Sequence, residues 1–278
     1  MTKSDKTEPT EAEMHLHLFR KSLPLRMKLH EIRRALGRTD GQTCLDIGMD
    51  NGIMSHHLRK GGGNWHSAVT RESVRASVQT IVGKNVHVLN GPTLPFEEGY
   101  FDAVVIVDFL KYVESDYAFI EECHRIMKSE GRLVVSVSRL KPWTLIKPLR
   151  KILGLSLEKE GQNVSGYSES GLFRILKHGF DVLNVYTYSR FFVEFVDAFI
   201  TFFARRMTME ENREKGMRLY SIAGPLYWIA DQLDMCLFLT KGHRFVSSAK
   251  RRVWRPRKTP LLADGRSISE AVLSRLES

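Results

Sequence analysis

Asp46, Gly48, Asp50, Asn51 and Gly52 fall within Cys44–Ser55, where an apolar run breaks into glycines and then resumes at helical spacing. Such a stretch reads as a buried strand, a tight turn and the first turn of a helix. Glycine accepts positive φ and lets a ligand approach the backbone, and the opening helical turn aims unpaired N–H groups above the strand. The chemistry this suits is the holding of a nucleotide, although the same spacing also fits an ordinary strand-to-helix turn. Asp108 and Tyr112 follow a second apolar run, Phe101–Val107. They stand where open parallel sheets bind their ligands.

The elements around these residues alternate. Thr43–Gly48 reads as a first strand and Ile53–Lys60 as a helix stopped by Gly61-Gly62-Gly63. Trp65–Val69 is a second strand, Val74–Val82 a helix, Val86–Asn90 a third strand and Phe101–Val107 a fourth. Asp116–Met127 is a helix and Gly131–Ser138 a fifth strand. Leu149–Gly166 reads as irregular, Ser168 caps a helix through Lys177, and Phe180–Tyr188 is a sixth strand. A last strand begins only at Arg244. The expected fold is α/β, a doubly wound, mostly parallel Rossmann-like sheet with a helical insertion between the sixth and last strands. The expected organisation is a disordered N-terminus (1–12), a core with N-terminal helices (13–189), an apolar helical insertion or cap (190–240), the last core strand (241–252) and a basic tail (253–278).

With 278 residues, 42% of them hydrophobic, the chain can bury a substantial core. Cys44, Cys123 and Cys236 lie far apart and are odd in number, so neither a disulfide framework nor a zinc site is expected, and the reading is a reduced, intracellular compartment. The polar stretch Met1–Thr10 carries no secretory signal. His15 and His17, two apart, sit on different helix faces and make no metal site. The net charge of +10 is local: between Asp234 and Asp264 there is no acid, while Lys241, Arg244, Lys250, Arg251, Arg252, Arg255, Arg257 and Lys258 all fall there. A block this one-sided points to an anionic partner.

Three ordered blocks resemble one family. They are Leu45-Asp46-Ile47-Gly48; Leu94-Pro95-Phe96, running through Phe101-Asp102 to Asp108 and Tyr112; and Glu122–Val137. Together they resemble the class I S-adenosylmethionine-dependent methyltransferases of the type 11-like branch, which also methylates small molecules, quinones and lipids. The resemblance runs well from Thr43 to Ser138 and more loosely to Arg252. It implies that S-adenosyl-L-methionine is the cofactor, with Asp46, Gly48, Asp50, Asn51 and Gly52 facing its methionine end. The second strand should end in an acid accepting both ribose hydroxyls, and Val69 stands there, which leaves Glu72. Asn90, with Gly91 beside it, stands where an aspartate often receives the adenine amino group, and Asp108 completes the cofactor set. Tyr112 and His56 are the candidate catalytic bases, needed only where the acceptor is a hydroxyl or an acidic carbon. A nicotinamide dehydrogenase is disfavoured by the glycine spacing. Nucleic-acid methylation is disfavoured by Val-Asp-Phe-Leu where an Asn-Pro-Pro-Tyr motif would stand.

Two segments of the insertion are unusual. Arg190–Arg206 is aromatic, with Glu194, Asp197, Thr201 and Arg205 as one narrow polar stripe. Leu219–Thr240 is apolar but contains Pro225, Asp231 and Asp234, which argues against a membrane span. Both either pack on each other or across a dimer, or they form a membrane-dipping cap that presents Phe191, Phe192, Phe195, Phe199, Phe202, Phe203, Tyr227 and Trp228. The expectation is a cytoplasmic enzyme, peripheral at the inner face of an anionic membrane, acting on a lipid-like or other hydrophobic acceptor. The alternative is a degenerate methyltransferase scaffold serving as a non-catalytic membrane- or partner-binding protein.

Overall fold

A computed structural model describes residues 11–48, 52–89, 91, 93–140, 146–155, 166–208 and 213–253. Its strands are β1 (Thr43–Gly48), β2 (Asn64–Val69), β3 (Val86–Val88), β4 (Phe101–Val107), β5 (Met127–Ser138), β6 (Phe180–Tyr188) and β7 (Arg244–Arg251). They form one sheet in the order β3-β2-β1-β4-β5-β7-β6, parallel except for β7, which runs against both of its neighbours. The central strands β1 and β4 are buried along nearly their whole length, as strands covered on both faces must be.

Each face carries its own helices. On one side lie α1 (Glu11–Lys21), α2 (Leu23–Leu36), α3 (Ile53–Arg59) and α4 (Glu72–Val82). Ile32, Leu36, Met54 and Leu58 close here over Val105, Val134 and Val246. On the other side α5 (Asp116–Ile126) and α7 (Glu169–Leu176) bury Ile120, Cys123, Leu172 and Leu176 against Leu45, Val104, Ile106 and Leu133. Ser115 caps α5 and Ser168 caps α7, each accepting from a backbone N–H three residues on. Between them lies α6 (Ile146–Ile152), a helix that runs into the first residues of the stretch Leu149–Gly166 expected to be irregular. Another boundary also moves. β5 begins at Met127, directly after α5, because Met127 pairs with Phe101 and Lys128–Gly131 then bulge out before Arg132 pairs with Ala103. Glu130 takes φ 66° in that bulge.

Between β6 and β7 the chain forms α8 (Phe191–Thr208) and α9 (Arg213–Cys236), which pack against each other. The first turn of α8 is capped from α9. Asp234 accepts from the backbone N–H groups of Arg190 (3.1 Å), Phe192 (2.8 Å) and Val193 (3.2 Å), which otherwise have no helical partner. No helix among the described residues is long and apolar enough to cross a membrane.

Candidate functional site

The crossover β1–β2 leaves the centre of the sheet in one direction and β3–β4 returns to the other, so the C-terminal ends of β1 and β4 flank a switch point. Gly48 lies opposite Val107 at this edge. Gly52 opens α3 with φ 82°, and a Cβ on it would stand 3.0 Å from Cγ1 and 3.2 Å from Cα of Val78. Only glycine brings α3 and α4 this close in that backbone state. Gly91 also has positive φ and faces open space. Asp50, Asn51 and Asn90 lie outside the described residues.

Asp46 sits on β1, two residues before Gly48. Its carboxylate is buried and already engaged: it accepts from Ser55 Oγ, from Ser67 Oγ at 2.9 Å and from Arg59 Nη1 at 3.3 Å. Asp46 therefore ties α3 and β2 to β1 and positions the turn. Glu72 begins α4 beyond the end of β2; it is exposed and paired with Arg75 at 3.1 Å. The glycine turn and the open ground around Gly91 fit a nucleotide-like group, with Glu72 as the described carboxylate on the β2 side.

His56 lies within α3. Its imidazole meets the backbone of Ile81 in the last turn of α4, at the end of that helix away from the rim. Burial, then Lys60, hold it below the ordinary histidine range. Tyr112 does lie on the rim, in the short turn Leu110–Tyr112 that follows β4, half-buried, with Lys111 Nζ 5.2 Å from its ring centre.

Asp108 follows β4 with φ 50°. Its carboxylate binds the ammonium of Lys28 from α2 and lies 4.0 Å from Arg244 Nη1. Burial alone would raise its pKa, but Lys28, Arg244 and Lys111 outweigh it and hold the group at about 2. A carboxylate compensated by three cations is a poor seat for a cationic part of the cofactor. It is also too weak a base to take a proton from a hydroxyl.

The polar stripe on α8 turns inward. Glu194 is 3% exposed and accepts from Ser189 Oγ at 2.8 Å, Arg244 Nε at 2.7 Å and Arg150 Nη1 at 3.4 Å. Against the cost of burial, chiefly Arg244 holds its carboxyl at about 2. Its neighbour Asp197 is pushed up by burial and by the Glu194 charge, and accepts from the Tyr227 hydroxyl at 2.9 Å. Tyr227 is thus buried, not presented outward, whereas Phe195, Phe203 and Trp228 are exposed. Sequence reasoning places Arg244 only among the surface cations. The signal available was the pair of carboxylates on an otherwise apolar helix, which demands a buried cation.

Four of the eight cations of the basic block pair with acids of the fold. Lys241 pairs with Glu169 at 2.8 Å, Arg252 with Asp181 at 2.6 Å, Lys250 with Glu130, and Arg244 with Glu194. Arg255, Arg257, Lys258 and Trp254 lie outside the described residues.

Residues 45–135 match the family model described as a methyltransferase domain. Over 115 residues, 38% of this chain and 47% of the relative, the sequence is 27% identical to a ubiquinone/menaquinone biosynthesis C-methyltransferase UbiE of Paraburkholderia phymatum. The chain thus spans about half the length of that curated relative. Among solved structures, a putative methyltransferase from Bacillus halodurans superposes with TM-score 0.56 at 10% identity, over 82% of this chain and 100% of that one. A geranyl diphosphate C-methyltransferase from Streptomyces coelicolor, solved with S-adenosyl-L-homocysteine, superposes with TM-score 0.53 at 13% identity, over 82% and 76%.

Proposed function

We propose that this chain, which carries a methyltransferase domain of the class I S-adenosylmethionine-dependent kind, transfers a methyl group from S-adenosyl-L-methionine to a hydrophobic small-molecule acceptor at a membrane surface. The observation that carries the reading is the match over 45–135, whose ends fall on β1 and β5 and enclose the glycine turn, Glu72, Gly91 and Asp108. Gly48, Gly52, Glu72 and Gly91 would hold the cofactor, which supplies an electrophilic methyl on a sulfonium. This chain's part is to orient the acceptor in line and to keep water out. Tyr112 is the remaining candidate base on the rim. A non-catalytic scaffold is the rival, because Val69 replaces the expected ribose-binding acid and Asp46 is consumed by its own hydrogen bonds.

The hydrophobic acceptor is supported by the exposed apolar surface of α8 and α9. Leu226, Ile229 and Leu233 recur at helical spacing on α9, Trp228 and Met235 are exposed on another side of the same helix, and Phe238 (71% exposed) and Leu239 (85%) follow it. Exposed apolar side chains of this kind suit the headgroup boundary of a bilayer. Since Lys241, Arg244, Lys250 and Arg252 are paired with acids of the same fold, insertion of apolar side chains contributes more to such binding than charge does. Vesicle flotation therefore should show binding that survives high salt and drops at least tenfold on replacing Trp228, Phe238 and Leu239 by Ser. Equal recovery of wild type and variant with the vesicles would remove the membrane part of the proposal.

A further inference from the structure

Between α7 and the last two strands lies a cavity of about 570 Å³, within the size range of small-molecule sites. Val182 and Val185 of β6 and Ser247 of β7 form its floor, on the face of the sheet where Ala249 joins the core under α5 and α7. Leu172 and Phe173 of α7 form a wall, the first buried and the second half-exposed. Lys241 and Glu169 also line it and pair at 2.8 Å, linking the turn before β7 to the first turn of α7. Those two residues lie at the rim. Arg139, just past β5, bridges to Tyr167, and Arg244 at the start of β7 pairs with Tyr188 at the end of β6.

What fits there follows from the lining. Each polar side chain of the cavity already has a partner: Glu169 has Lys241, Ser170 has Ser168 at 3.3 Å, and Ser247 donates to the Asn184 carbonyl at 3.4 Å. An occupant that needed hydrogen bonds would have to break these, whereas one that needs none is matched by Leu172, Phe173, Val182 and Val185. That occupant is a hydrocarbon. Its place in the fold says which one. Phe238 and Leu239, both strongly exposed, end two residues before Lys241, so the cavity adjoins the surface proposed to meet the bilayer. In the order β4-β5-β7-β6, three strand spacings separate β6 from β4, about 14 Å along the rim. A long-tailed molecule spans that distance and a compact one does not.

We infer that this cavity receives the hydrocarbon tail of the methyl acceptor, holding it at β6 while the acceptor's head lies along the rim toward the ends of β1 and β4. The inference rests on the methyltransferase reading for the identity of the ligand and deepens it: the acceptor class is a long-tailed amphiphile. Phe173 and Val185 set the tail preference without touching the reacting atoms.

The experiment is calorimetric titration of the full chain with para-ethylphenol, para-butylphenol and para-octylphenol. Complete burial would raise affinity about fourfold per methylene, so a partly open cavity should give at least a tenfold gain from ethyl to octyl. Val185→Trp, which fills the cavity, should bring the octyl compound back to within about twofold of the ethyl one. Phe173→Ser, at a half-exposed position, should weaken the octyl compound several-fold, and Leu183→Trp, on the same strand but outside the cavity, should change nothing. Equal affinity across the series, or an octyl preference that survives both cavity variants, overturns the inference. Octylphosphocholine separates the acceptor from a bilayer lipid. Bound S-adenosyl-L-homocysteine should change the affinity for para-octylphenol, whose head then lies beside it, and leave that for octylphosphocholine unchanged. If neither ligand is coupled to it and both lose binding in Val185→Trp, the cavity belongs to a membrane lipid and the inference is overturned. Failure of S-adenosyl-L-homocysteine to bind at all would count against the methyltransferase reading, whereas the chain-length series, read without it, tests the cavity itself.

Discussion

Replacing Glu194 by Ala should destabilise the protein by roughly 3–5 kcal/mol, the usual cost of stranding a buried charge. Arg244 and Arg150 would lose the carboxylate that satisfies them, Ser189 would lose its acceptor, and Asp108 at 4.0 Å would be the nearest remaining anion for Arg244. For a chain of this size the melting temperature should fall on the order of 10 °C. The sign of the pH dependence follows from the same cluster. Glu194 is held at about 2 in the fold against an ordinary value of 4.5. Its contribution is therefore complete above pH 4.5 and lost as pH falls toward 2. Glu194→Gln should flatten that limb of the stability curve. A loss below about 1 kcal/mol in the alanine variant, the range of an exposed ion pair, would mean that the cluster is not the tie between α8 and the core.

The second large effect is expected at Gly52. Valine there must adopt a left-handed conformation costing about 1–2 kcal/mol and must also push its Cβ to 3.0 Å from the Val78 side chain. Overpacking of that kind typically adds about 1–3 kcal/mol. Gly83 supplies a comparison without crowding: nothing stands within 4 Å of where a Cβ would be placed, so Gly83→Ala carries only a backbone cost, at φ 84° and ψ −101° rather than in the left-handed helical region of Gly52. Gly52→Val should also weaken S-adenosyl-L-homocysteine at least tenfold, and Gly83→Ala should leave it unchanged.

Much of the scaffold was legible because its signals are local. Val-Val-Ile-Val after Phe101 can only be a strand buried on both faces, and the alternation of such runs with helical spacing dictates the parallel sheet. The start of β5 was not legible: the helical pattern runs into Met127, and only the pairing with Phe101 makes that residue a strand. The site was less legible than the fold for the same reason. The hydrogen bonds of Asp46 to Ser55 and Ser67, and the contact of His56 with Ile81, depend on α3, β2 and α4 being brought together, which no local pattern shows. Arg244, read as one cation in a basic block, is a buried partner of a carboxylate fifty residues earlier in the chain. Charge sums along a sequence cannot see such pairings. The apolar character of α8 and α9 was plain, but which of their residues face outward was fixed by Glu194 and Asp197 turning inward.

The central claim is that this domain is built to hold S-adenosyl-L-methionine at the C-terminal edge of β1, β2 and β4. Calorimetric titration of the purified chain with S-adenosyl-L-homocysteine tests it most directly. The expected result is saturable binding at one site per chain, weakened at least tenfold in Gly52→Val. No heat and no thermal shift at millimolar ligand would contradict it and leave the chain a methyltransferase fold without its cofactor.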